Sequence, residues 1–172
     1  MSAASPVEFE LVPLATSHQA ATLRWMNDPT LMPALNRLHV ITAGEHDRWF
    51  ASLPQRKDLA CFAIETDEPR RHAGNVWLNA IDSVHRKAEV RIMLAPGELG
   101  RGLGSGAIAR IVLHAYGELG LHRLTACVLA TNPRGRRAFE KAGFVHEATL
   151  RDDRWTGTSF VDVHLLARLA LR

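Results

Sequence analysis

The chain has 172 residues, of which 47% are hydrophobic and 23% charged. That length bounds it to one domain, 1–172, with a sizeable core, and the balance excludes a disordered or fibrous chain. Its formal charge of +3 comes from basic residues scattered along the chain, which speaks for small anionic ligands and against nucleic acid.

The segment Val7 to Leu14 alternates apolar and polar residues, the period of a half-buried strand. Thr16 or Ser17 then caps a helix to about Asn27, with Ala20, Leu23 and Trp25 or Met26 on its buried side, and Asp28-Pro29 stops it. After an irregular stretch to Ile41, Thr42-Ala43-Gly44-Glu45 fits a capping box and predicts a second helix to Leu53. Leu59 to Thr66, Ala73 to Ile81 and Ala88 to Leu94 read as three strands. The turns between them, Asp67-Glu68-Pro69 and Asp82-Ser83, are short, so the three form an antiparallel meander.

From Leu103 the positions Ala107, Ile108, Ile111, Val112, Ala115 and Leu119 recur at helical spacing up to the cap residue Gly120. Leu124 to Leu129 is the next strand, reached by a helical crossover and therefore parallel to the one before the helix. Asn132-Pro133 opens a last helix that Gly143-Phe144 ends, and Glu147 to Trp155 pairs with Phe160 to Leu166 as a closing hairpin.

Cys61 and Cys127 sit in apolar strand-like stretches without a second cysteine at metal or redox spacing, so both read as buried free thiols. The histidines lack the paired spacing of a metal site. With no basic-then-apolar leader and no apolar run near the ~18 residues of a membrane span, a cytoplasmic protein that does not engage membrane is expected.

The stretch Ala88 to Gly106, AEVRIMLAPGELGRGLGSG, runs from a strand through a glycine-rich turn into a helix. Such a turn aims unpaired backbone N–H groups and the positive helix end at one spot, which suits a phosphate. Gly102-Leu103-Gly104-Ser105-Gly106-Ala107 matches a dinucleotide fingerprint, but that fold wants an acid at the end of the next strand, where Ala130-Thr131-Asn132 stand. No Gly-Lys-Ser/Thr follows, which excludes a nucleotide-hydrolysing P-loop.

Leu99-Gly100-Arg101-Gly102-Leu103-Gly104 instead resembles the acetyl-CoA signature (Q/R)-x-x-G-x-(G/A) of the GNAT superfamily of N-acetyltransferases. Asn132 through Ala142-Gly143-Phe144 resembles its second signature. His85-Arg86-Lys87-Ala88-Glu89, and Glu147 and Leu150 after Gly143-Phe144, are similar to the branch containing ribosomal-protein, spermidine and amino-sugar acetyltransferases. The resemblance implies an α/β acyl-CoA N-acyltransferase fold, a mixed, mostly antiparallel twisted sheet flanked by helices. It also implies acetyl transfer from acetyl-CoA to a primary amine in a direct ternary complex, and relatives often form homodimers.

On the same resemblance, the backbone of Leu99, Gly100, Arg101, Gly102, Leu103, Gly104 and Ser105 cradles the pyrophosphate, although Leu99 departs from the usual Gln or Arg. The strand edge at Ile92, Met93 and Leu94 pairs with the pantetheine amides, Asn132 faces that arm, and Arg137 or a neighbouring arginine meets the adenosine phosphate. Glu89, a carboxylate on an apolar strand, is the candidate general base acting through water, with a structural ion pair to an arginine as the alternative. Asp82 and Asp153 are next in line.

Phe139 stands where many relatives carry the tyrosine that protonates the departing thiolate, and phenylalanine cannot donate. A non-catalytic acyl-CoA sensor or partner subunit is therefore the second reading. Trp25, His46, Trp77 and Asp82 fall in the segments that wall the acceptor in relatives. The acceptor itself, a small-molecule amine or a peptide N-terminus, is left open, as is the length of the acyl group.

Overall fold

The computed structural model describes residues 7–67 and 70–171. Glu68 and Pro69 of the first meander turn lie outside the described residues. In chain order the elements are β1 (Phe9–Pro13), α1 (Thr16–Met26), α2 (Ala43–Ser52), β2 (Leu59–Asp67), β3 (Arg70–Asp82), β4 (Lys87–Leu94), α3 (Leu103–Gly117), β5 (Arg123–Leu129), α4 (Pro133–Lys141), β6 (Val145–Trp155) and β7 (Phe160–Leu169). The strands form a seven-stranded sheet in the order β1-β2-β3-β4-β5-β7-β6. Every neighbouring pair is antiparallel except β4 and β5, which the α3 crossover makes parallel.

Strand alternation sorts the core into two layers. Val76, Leu78, Val90, Leu124 and Ala126 point to the face covered by α3 and α4, where Ile108, Ile111, Val112 and Phe139 meet them. Trp77 and Met93 point the other way and pack with Trp25, Met26 and Leu31 beneath α1 and the chain that follows it. That second layer is smaller and leaves part of the sheet uncovered.

Local chemistry places the helix starts. Thr42 Oγ1 accepts from Glu45 N while the Glu45 carboxylate accepts from Thr42 N, the reciprocal cap expected for α2. Asn132 Oδ1 accepts from Gly135 N at 2.9 Å and starts α4. In α1 neither Thr16 nor Ser17 is the cap; the N-cap is Ala15, whose N–H donates to His18 Nδ1 at 2.9 Å. The buried face of α1 is His18, Thr22, Trp25 and Met26, and Ala20 is exposed, because the helix meets the sheet through a polar cluster rather than an aliphatic stripe. The helix α3 ends at Gly117, and Gly120 supplies a left-handed turn just beyond it.

The polar cluster centres on Asn75, fully buried in β3, which donates to Thr22 Oγ1 at 2.9 Å and accepts from His72 at 2.7 Å. Burial pushes the His72 imidazole below its ordinary value, so its neutral form is the one this packing favours. Asn75→Ala removes one partner each from buried Thr22 and half-buried His72, and a loss of about 2 kcal/mol is expected in urea unfolding. An unchanged midpoint would show that the cluster does not anchor α1.

Candidate active site

The site is built where β4 and β5 part. Their parallel pairing runs from Lys87 and Arg123 through Glu89 and Thr125. Both strands continue, to Leu94 and Leu129, but among the described residues no further pair joins them. The facing edges beyond that point carry backbone groups without a strand partner, a wedge open to an extended ligand.

β4 leads directly into the glycine turn. Gly97, Gly100 and Gly102 have φ of +90°, +83° and +80°, and Gly102 is the N-cap of α3. The first α-helical hydrogen bond closes from Gly106 N to Gly102 O at 3.1 Å, so the amides of residues 103–105 precede it and lack helical acceptors. A Cβ at Gly102 would meet nothing within 4 Å, so the space beside this N-cap position is open. Glu98, only 7% exposed, grips the turn from below: it accepts from Arg71 at 2.7 Å and from Arg101 at 3.1 Å. The residues therefore fit a phosphate-bearing cosubstrate at this helix end.

Glu89 lies at the apex of the wedge, on the sheet face away from α3. Its carboxylate is paired in bidentate fashion with Arg91, at 3.1 and 3.0 Å. The isolated carboxylate in apolar surroundings is thus replaced by a paired one, because Arg91 two residues on shares its face. Cys127, two residues along β5 past the last pair with β4, is exposed rather than buried, since the parting of the strands uncovers that position. Partly apolar surroundings and the Glu89 carboxylate raise its thiol above the ordinary range. Cys61 is half-buried and free, and burial pushes its thiol up to about 12.

On the same face a cavity of about 450 Å³ opens against β4, lined by Arg91, Ile92 and Met93 together with Trp77 and Asn79 of β3, His46 and Trp49 of α2, and Arg37. The α1–α2 connection forms part of its wall. Asn27 pins that connection shut, donating to Ile41 O and accepting from Ile41 N, both at 2.8 Å. Both ring nitrogens of His46 are buried without a hydrogen-bond partner, and burial lowers its imidazole below the ordinary value.

Of the acceptor-side residues expected from sequence, His46 and Trp77 line this cavity. Trp25 does not; it is 5% exposed and packs in the core beside Met26 and His72. Asp82 does not either, because its carboxylate accepts from His85 N at 2.8 Å and closes the β3–β4 turn. Leu99 is exposed at the turn, Ser105 Oγ donates to Gly102 O, and Arg137 stands exposed on α4, whereas Arg136 is paired with Glu140. Phe139 is 4% exposed against Phe144, and the Tyr116 hydroxyl donates to Arg168 O, so neither places a phenol in the wedge. Arg37, Arg91 and Glu98 were not legible as site residues: one lies in the irregular stretch, and the others become partners only through the fold.

Among the described residues no group of histidine, cysteine and carboxylate side chains is gathered to hold a metal, and no helix is long and apolar enough to cross a membrane. The chain is 31% identical over 102 residues to a spermidine N(1)-acetyltransferase of Vibrio cholerae, across 59% of this chain and 58% of that protein. That match spans little more than half of the relative's length. An N-acetyltransferase 9-like protein of Nematostella vectensis is 27% identical over 145 residues, across 78% of this chain and 73% of its own. The fold is shared with the crystal structure of spermidine N-acetyltransferase from Vibrio cholerae in complex with CoA and spermine, at a TM-score of 0.89, 23% identity and coverage of 94% and 95%. Residues 8–145 match the model of the acetyltransferase (GNAT) domain. With its mixed sheet, parted central strands and glycine turn, the chain belongs to the GNAT family of acetyltransferases.

Proposed function

We propose that this chain transfers acetyl from acetyl-CoA to a primary amine by direct attack within a ternary complex. The observation that carries this reading is the continuity of three features: the open edge of β4, the left-handed glycine turn at the start of α3, and the cavity on the opposite face of the sheet. The cosubstrate supplies a thioester whose carbonyl is the electrophile. Backbone N–H groups from Arg101 to Ser105 bind its pyrophosphate, and one basic side chain of α4, Arg137 or the equally exposed Arg134, meets its remaining phosphate. The β4 edge at Ile92, Met93 and Leu94 aligns the pantetheine arm, while Asn132 holds the start of α4 beside it.

The incoming amine is an ammonium in neutral water and must lose a proton before attack. Glu89, at the apex of the wedge and paired with Arg91 of the cavity wall, takes that proton through water, and Arg91 orients its carboxylate. Phe139 cannot protonate the leaving thiolate, so solvent entering the wedge supplies that proton. Cys127 is close enough to Glu89 to feel its charge, but its raised thiol is a poor nucleophile near neutrality. Cys127→Ala is therefore expected to keep turnover within about twofold; loss of activity with an acetylated cysteine in the native protein would replace direct transfer by a covalent route.

Phe139 favours a second reading, a non-catalytic acyl-CoA sensor or partner subunit. Acetyl-CoA consumption with a panel of amines and peptide N-termini decides between them, because turnover with any acceptor excludes the sensor. The spermidine acetyltransferase of Vibrio cholerae has a dodecameric structure, and self-association is expected here as well.

A further inference from the structure

We propose that the acceptor is an amine carrying an anionic group, a carboxylate or a phosphate, which docks on Arg37 and Arg91 in the cavity against β4. This rests on the acetyl-transfer reading and names the substrate class that the cavity selects. The argument is one of charge. Arginines 37, 56 and 91 line the cavity along with His39 and His46, and among the described residues the only carboxylate in its lining is that of Glu45. Glu45 is exposed and already engaged, accepting from Thr42 N at 2.8 Å and Thr42 Oγ1 at 2.7 Å to cap α2.

The other cations differ in what holds them. Arg56 is exposed and paired with Asp58, and Arg91 with Glu89. Arg37 is half-buried and forms no ion pair with a carboxylate among the described residues, and burial and the charge of Arg91 both act against its guanidinium. Arg37, partly desolvated and opposed by the charge of Arg91, is stabilised by an anion placed beside it, and Arg91 keeps the N–H donors that Glu89 does not engage. The loop that carries Arg37 is not loose: Arg37 N donates to Met32 O at 3.0 Å, and the Asn27 clamp closes the connection at Ile41.

The buried His46 imidazole leaves one N–H and one acceptor nitrogen without a partner, so the cationic excess of this wall comes from its arginines. A polyamine needs the reverse, carboxylates spaced to receive its second and third ammonium groups, and here it would meet like charge. The cavity therefore rejects the acceptor that the names of similar proteins suggest.

Two matched pairs test the proposal: glucosamine 6-phosphate against glucosamine, and dialanine against dialanine amide, with spermidine as the polycationic control. The anionic member of at least one pair is expected to exceed its neutral partner and spermidine about tenfold or more in kcat/KM, as one or two charge-assisted hydrogen bonds imply. Arg37→Gln is expected to collapse that ratio through KM while acetyl-CoA affinity holds. Calorimetric titration of the same ligands into the complex with CoA reads the site without turnover, and Arg37→Gln should abolish the anion-dependent heat. Binding without turnover would overturn the acetyl-transfer reading and keep the anion site. Preference for spermidine, absence of binding by both anionic ligands, or a ratio unmoved by Arg37→Gln would overturn the proposal; which pair responds separates phosphate from carboxylate.

Discussion

Gly102→Val is expected to abolish measurable acetyl-CoA binding. Gly102 has φ of +80° at the N-cap of α3, a region where an L side chain costs about 1–2 kcal/mol and a β-branched one more. The added side chain meets no protein atom, since nothing lies within 4 Å of its Cβ position. It enters the open space at the N-cap of α3, next in sequence to the amides proposed to bind the pyrophosphate. Charge-assisted hydrogen bonds contribute about 1.5–3 kcal/mol each, so loss of two raises Kd by about 100-fold or more. Gly120→Val is the matched control: φ is +61°, its Cβ position is equally open, and it lies past the far end of α3. Calorimetry should find the control binding normally although it melts lower. Retained affinity in Gly102→Val would move the cradle elsewhere.

The second large effect is expected from Glu89→Gln. A positioned general base contributes about 10²–10⁴ in rate, so kcat should fall by about 100-fold or more while the acetyl-CoA Kd stays near normal. The loss should be deepest at low pH, where free amine is scarcest and the enzyme must remove the proton itself. The bidentate contact with Arg91 gives the competing account, in which Glu89 only holds an arginine. Such a partly exposed pair is worth about 0–1 kcal/mol, so on that account the melting temperature shifts slightly and kcat survives. In that outcome Asp153, which the fold brings within electrostatic reach of Cys127, is the next carboxylate to replace.

Much of the architecture follows from local signals. The Thr42 capping box, the Asn132-Pro133 start and the alternation of the meander strands each act over a few residues, and each element forms where that chemistry places it. The errors arise where a remote partner intervenes. In α1 the cap belongs to His18, which Glu65 of β2 holds at 3.0 Å, so the helix face is chosen by a strand distant in sequence. Cys127 has the apolar neighbours of a buried residue and is exposed because β5 leaves β4 after Thr125.

The site divides in the same way. The glycine turn is legible because a left-handed backbone conformation demands a particular residue at a particular position, and that demand is written in one short stretch. The amino-acid sequence by itself thus determined the donor half of the proposed site: the strand, the turn and the helix start that are proposed to hold a phosphate-bearing cosubstrate. The proposed acceptor half is assembled from α2, the connection before it and three strands of the sheet, with Asn27 clamping Ile41 from fourteen residues away. Only the tertiary structure decided that Trp25 and Asp82 stand outside it and that Arg37 and Arg91 share it. Side chains that converge from remote segments carry no common local signal, and the net charge they bring to one cavity exists only once the chain has folded.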